Sequence, residues 1–208
     1  LPQVAEDGRL EWGSGRVGAH GEWARVDPAF GTVLMNGDSG SVVWRCEMPR
    51  ARARVMMRGG RELRGLGYAE RLEMTVRPWR LPIEELRWGR VLTERDGVAW
   101  IEWRGREPRL VVVHNGRGVM GRRVSERGVE WEGGNLELNE GAAMRSGLLG
   151  ETALRPPLKW IVPRKMREVE ETKWVARGKV RVDGGDASEG WAVHEVVRFG
   201  PGNGGTLG

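Results

Sequence analysis

The feature that most limits what this chain can fold into is a series of tight-turn signals set between short apolar runs. "MNGD" (35–38) separates "GTVLM" from "GSVVWRCEM", and "RDGV" (95–98) separates "RWGRVLTE" from "VAWIEWR". "HNGRG" (114–118) follows "RLVVV", and "ERGV" (126–129) lies between "GRRVS" and "VEWEG". Asn-Gly and Asp-Gly suit two-residue hairpins because both central residues of a type I′ turn need positive φ. A chain that reverses so often builds antiparallel sheet.

The runs themselves alternate. Over 173–183, Trp174, Ala176, Val180 and Val182 interleave with Lys173, Arg177, Lys179 and Arg181. That is the period of a half-buried strand. Further strands are read in "NLELN", "AAMRSGLL" and "GWAVHEVVRFG". Helical signal is confined to one turn in "LPIEEL" (81–86) and a short helix in "PRKMREVEE" (163–171), with Pro163 at its first position. Many strands with almost no helix predict an all-β fold, an antiparallel barrel or two packed β-halves. Closure into a barrel would also remove exposed sheet edges. At 208 residues and 39% hydrophobic content the chain can bury a real core. One barrel domain over 1–199 is expected, with "RPPLKWIVP" (155–163) as the crossing between two sub-halves and a flexible Gly-rich tail over 200–208.

Bulk charge excludes more than it suggests. The net charge is +5, but Arg is spread along the chain among Glu, and Lys occurs only at 159, 165, 173 and 179. Without a basic stripe, nucleic acid is not an expected partner. The single cysteine, Cys46, excludes an internal disulfide, and its register with Val42, Trp44 and Met48 makes it a small buried hydrophobe. His20, His114 and His194 do not stand at ligand spacing, so neither a metal nor a cofactor is expected. "NGDSGS" (36–41) resembles the nucleophile loop of trypsin-like proteases, but suitable upstream His and Asp partners are lacking, and it reads as a turn. No run approaches the roughly 18 apolar residues of a spanning helix. No signal peptide is visible, although the chain begins at Leu1 rather than Met. A cytoplasmic location is expected.

Alternation also detects misplaced polar residues. Glu70 falls in register with Tyr68, Leu72, Met74 and Val76. Glu195 falls in register with Trp191, Val193, Val197 and Phe199. His114 shares a face with Leu110 and Val112, and Arg90 shares one with Trp88 and Leu92. A charge on a core face is costly unless it is paired or has a task. If the strands close around one interior, these groups line a ligand cavity. Alternatively, each sits at a bulge or strand end, Glu70 and Arg90 form a structural pair, and His114 is exposed before its turn.

The order of motifs "VVWRCEMPRARARV…LRGLGYAERL…LRWGRVL" resembles the lipocalin-like family that includes hydroxyneurosporene synthase, a carotenoid hydratase, and fungal lipocalin-like Diels–Alderases. Gly65, Gly67 and Tyr68 match the family's glycine-tyrosine strand, and Trp88, Gly89 and Arg90 match its later strand. Glu70 falls at the family's Asp and Arg71 at its His, while the Trp-Gly that follows there is replaced by Glu73 and Met74. The resemblance implies a lipocalin-like barrel with an apolar cavity, and proton delivery to an alkene as its chemistry.

Two functions follow, with a third from another class. In the first, an isoprenoid- or polyketide-like molecule fills the cavity of a cyclase, isomerase or hydratase. Glu70, with Glu195 and His114 as further catalytic candidates, acts as acid or base. Tyr68, Arg90, Trp88, Trp44 and Trp191 contact the ligand. In the second, the same cavity holds the molecule without catalysis. In the third, exposed tryptophans make a carbohydrate-binding or structural module.

Overall fold

The structure, a computed structural model, describes residues 3–4, 8–152 and 162–199. The turns and alternating runs become fifteen strands among the described residues. They are β1 (Gln3–Val4), β2 (Leu10–Ser14), β3 (Ala19–Arg25), β4 (Phe30–Gly37), β5 (Gly40–Met57), β6 (Glu62–Met74), β7 (Glu85–Leu92) and β8 (Gly97–Arg104). They continue with β9 (Arg109–His114), β10 (Arg117–Val119), β11 (Gly121–Ser125), β12 (Gly128–Trp131), β13 (Gly134–Leu148), β14 (Glu170–Val182) and β15 (Ser188–Arg198). Two four-residue helices, α1 (Leu149–Thr152) and α2 (Arg164–Arg167), precede β14. No described helix is long and apolar enough to cross a membrane.

The Asn115-Gly116 turn forms as its sequence requires, with φ of 48° and 74°. The turn expected at Asn36-Gly37 moves two residues on. Pairing persists through Asn36↔Ser41 and Gly37↔Gly40, so the chain reverses at Asp38-Ser39. That confirms a turn within "NGDSGS". The helical turn expected over 81–86 falls upstream at Pro78–Arg80. Leu81 and Ile83 instead plug the core from an irregular segment before β7. The helix expected after Pro163 forms as α2. The 155–163 crossing lies outside the described residues except at 162–163, and the 200–208 tail lies outside them entirely.

Strands β1–β6 form one sheet, ordered β1-β2-β3-β5-β4 with β6 on the other side of β5. The 18-residue β5 absorbs "PRARAR" and pairs β4 with its first half and β3 with its second. The remaining nine strands run β10-β9-β8-β7-β15-β14-β13-β12-β11. Its two outermost strands, β10 and β11, are separated in sequence only by Met120, whose carbonyl accepts from Glu132 N at 2.9 Å. The chain thus brings the sheet's own ends together, and it nearly closes as a barrel.

Two large cores result. Val91, Val98, Trp100, Val112, Trp131 and Val180 belong to the cluster inside the barrel. Leu34, Val42, Trp44 and Cys46 from the six-stranded sheet meet Ala99, Ile101, Trp103 and Val113 on the barrel's outer face. Strand β8 is therefore buried on both sides. Each fully buried aliphatic side chain here contributes about 1.5–3 kcal/mol. Bulges redistribute β5. Between Arg45↔Arg71 and Met48↔Ala69 it carries one extra residue, which turns Met48 away from Cys46 into a smaller core with Leu10 and Ala51. Cys46 is fully buried as expected, but its shared face with Met48 is not kept. A bidentate ion pair, Arg50 Nε and Nη2 to Asp27 at 3.1 and 2.9 Å, lies buried near the junction of the sheets, where Arg50 also donates to the Glu94 carbonyl.

Candidate functional site

The polar residues that alternation singled out do not share one interior. Trp88 and Arg90 stand on the outer face of β7, and Glu195, directly opposite Trp88, stands on the outer face of β15. The six-stranded sheet covers this patch and brings Tyr68 and Glu70 from β6 and Trp44 from β5. The candidate site is thus a cleft between the sheets, not the inside of the barrel. It encloses about 100 Å³ and is lined by Glu70, Trp88, Arg90, Lys173, Val193 and Glu195, among others.

Glu70 is the centre of the cluster. Its Oε2 accepts from Tyr68 Oη at 2.6 Å and from Trp44 Nε1 at 2.8 Å. Both hydrogen bonds converge on one oxygen, which leaves Oε1 free of them. Burial raises the Glu70 pKa, and nearby Glu195 adds to the rise. The two hydrogen bonds and Arg90 oppose it without cancelling it. The Glu70–Arg90 pair of the alternative reading does not form. The Arg90 guanidinium instead lies 4.7 Å from the Tyr68 ring centroid. Glu195 is paired with Lys173 at 2.6 Å. Burial also raises Tyr68 well above its usual range and pushes the Cys46 thiol up to about 12, so both stay protonated at neutral pH.

Trp88 reaches the cleft, but Trp44 does not line it. Trp44 is wholly buried, edge-on to Phe30 at 6.1 Å, and acts on the site by holding Glu70. Two of the candidate residues are not brought to the cleft. Trp191 is on the right face of β15 but past the covering sheet, 58% exposed, with the Arg177 guanidinium 4.3 Å from its ring. His114 lies on the inner face of the barrel, away from the cleft. Its Nε2 is 2.9 Å from Asp96 Oδ1, and its ring is 5.6 Å from Trp131. Asp96 also accepts from Ser188 Oγ, which accepts from Thr93 Oγ1. In this chain of contacts the carboxylate sits between serine and imidazole, so the imidazole does not reach the serine. The network ties the β7–β8 loop to the start of β15 and the end of β9.

Leu72 and Met74 share Glu70's register yet are 46% and 38% exposed. Arg71, next to Glu70, points outward to Glu47 and Glu73 at 3.2 and 3.1 Å. Sequence reasoning missed Lys173, the partner of Glu195, and His194, which faces the barrel interior beside Trp174. For both, the available signal was alternation across a strand pair whose register only the fold supplies.

No family model and no curated protein matches the chain. Among solved structures it is similar to CghA with Sch210972, at a TM-score of 0.57 and 11% identity, covering 94% of this chain and 66% of that one. CghA alone gives 0.52 and 10%, covering 100% and 74%. An AttH-like protein from Nitrosomonas europaea gives 0.50 and 10%, covering 94% and 66%. The chain thus spans about two thirds of the length of the first of these. At such identities the likeness shows the fold, which is lipocalin-like.

Proposed function

We propose that the inter-sheet cleft holds the reacting end of an apolar small molecule, isoprenoid- or polyketide-like, and that Glu70 transfers a proton to or from it. The observation that carries this reading is the Glu70 carboxyl itself. It is desolvated, its pKa is raised, and its Oε2 is held by Tyr68 and Trp44. Its second oxygen is left to serve the cavity. A raised pKa brings a carboxyl toward the range where it can give and retake a proton at neutral pH.

In an isomerase or cyclase, the acid O–H bond breaks as a C–H bond forms at an alkene carbon. The resulting cation loses a proton to the carboxylate, either directly or after an internal double bond has attacked it, closed a ring and taken over the positive charge. Attack of water, with proton loss, makes the enzyme a hydratase. Trp88 offers an indole face to positive charge, and Arg90 anchors a polar oxygen at the other end of the reacting group. No cofactor enters these steps. Glu195, neutralised by Lys173, tunes Glu70 rather than replacing it. The cleft is small, about 100 Å³, and open to one side, so it takes the reacting end of the ligand while the rest extends from its mouth.

One observation favours a second reading, a binding protein without catalysis. Glu70 already satisfies two buried donors, a sufficient structural reason for an acceptor there. Glu70→Gln separates the two, because the amide oxygen can still accept from Tyr68 and Trp44. The experiment is mass spectrometry of apolar molecules that co-purify, followed by their turnover on wild type and Glu70→Gln. The catalytic reading expects retained binding and lost turnover. Unchanged turnover removes Glu70 from the mechanism, and binding without turnover in wild type leaves the binding protein.

A further inference from the structure

Four arginines that the fold covers each hold a carboxylate. Buried Arg50 grips Asp27 at 3.1 and 2.9 Å. Half-buried Arg87 and Arg104 share Glu85 at 2.6 and 3.0 Å, and half-buried Arg145 holds Glu171. Arg90 is half-buried as well, and it lines the Glu70 cleft, but no carboxylate pairs with it among the described residues. Its guanidinium lies against the Tyr68 ring, 4.7 Å from the centroid. Such a contact orients a cation without neutralising it.

The neighbours cannot supply the missing charge. Strand β7 pairs without a bulge on both flanks, which sets Arg90 opposite Val193 on β15 and Ala99 on β8. Neither side chain can accept a hydrogen bond. Two carboxylates line the cleft, and both are engaged elsewhere. Glu195 is held by Lys173 at 2.6 Å, and Glu70 gives Oε2 to Tyr68 and Trp44. Burial favours the protonated, neutral form of Glu70. With Lys173 and Glu195 cancelling, the cleft carries one positive charge in surplus, and that charge stands on Arg90. A partly desolvated charge without a counter-ion is costly, so a ligand that brings one is favoured.

We propose that the ligand of this cleft is an apolar carboxylic acid, bound as the carboxylate by a two-pronged hydrogen bond from Arg90. The carboxylate pocket is part of the ligand site proposed above and so rests on that reading, but it does not require proton transfer by Glu70. The planar guanidinium fork matches the two oxygens of a carboxylate. A neutral hydrocarbon head would cover Arg90 further and leave its charge unmatched. One surplus charge and about 100 Å³ suit a monoanion better than the nearly doubly charged phosphate. A carboxylate beside Glu70 also keeps Glu70 protonated, since a like charge opposes its ionisation.

The test uses geranic acid and geranamide, which share an isoprenoid tail and the shape of the head but differ in charge. Titration calorimetry of wild type at neutral pH is expected to show saturable binding of the acid. The amide is expected to bind more weakly by roughly 10-fold or more, because an ionised acceptor makes each hydrogen bond worth about twice a neutral one. Arg90→Met should bring the acid down to the affinity of the amide, and Arg90→Lys, which keeps the charge without the fork, should retain part of the preference. Equal affinity for the two probes in wild type, no saturable binding of the acid, or a preference that survives Arg90→Met overturns the proposal. The wild-type comparison decides even where a variant folds poorly. Acid preference in a wild type that turns nothing over sinks proton transfer by Glu70 and leaves the carboxylate site standing. Turnover of a neutral alkene without any acid preference does the reverse.

Discussion

Replacing Glu70 by leucine removes the acceptor that two buried donors share. Trp44 Nε1 and Tyr68 Oη both give their hydrogen bonds to Oε2. Each donor left without a partner costs about 1–3 kcal/mol, so the variant is expected to lose about 2–6 kcal/mol. That is a large share of the roughly 5–15 kcal/mol typical of a folded domain. Glu70→Gln keeps an acceptor for both donors and is expected to stay within about 1 kcal/mol of wild type near pH 4. The two variants also separate charge from hydrogen bonding. Burial holds the folded Glu70 pKa above its ordinary value of 4.5. Between those two values the folded state binds more protons than the unfolded state. Stability therefore falls as pH rises through the window and levels off above it. Glu70→Gln has no such proton, so it gains on wild type across the same window. Urea unfolding of all three proteins at intervals from pH 4 to 8 measures both effects. A Glu70→Leu loss under 1 kcal/mol, or a difference between wild type and Glu70→Gln that is flat with pH, would refute the geometry and its electrostatics.

Three further outcomes are expected. Asp27→Ala strands the buried Arg50 charge and should cost about 3–5 kcal/mol in urea unfolding, while Asp27→Ala combined with Arg50→Met should recover most of it. Gly89→Ala places a Cβ 2.4 Å from Trp100 Cζ2, and the overpacking should lower stability by about 1–3 kcal/mol in the same assay. Trp191→Ala should leave ligand affinity at the cleft unchanged and cost at most about 1 kcal/mol through its lost Arg177 contact, as measured by calorimetric binding and thermal unfolding.

How far the sequence could be read depended on whether each strand stays regular and what covers it. Trp88, Arg90 and Glu195 lie on the shared face that alternation assigned to them, because β7 and β15 pair without a bulge. Met48 left Cys46 because β5 gains a residue between Arg45 and Met48, which no period-two count can foresee. Leu72, Met74 and Trp191 are in register but exposed, since register names a face and not its cover. His114 taught the same lesson in reverse. It is inward-facing as read, yet its interior is the barrel and not the cleft. Recognising two chambers required the long-range order of the nine strands, and short-range turn signals carry no trace of it.

Strand β15 is the wall between those chambers, and consecutive residues on it serve opposite sides. A slip of one residue would carry Glu195 into the barrel and His194 out toward Glu70. Such an exchange would ruin both chambers in a single step, with no change of composition. The strand is pinned against it along Glu170–Val180 of β14 on one flank and the whole of β7 on the other. Insertions and deletions should therefore be tolerated far less in β15 than in the loops at its ends, and in a deep mutational scan this strand should stand out by its intolerance of length change more than of substitution.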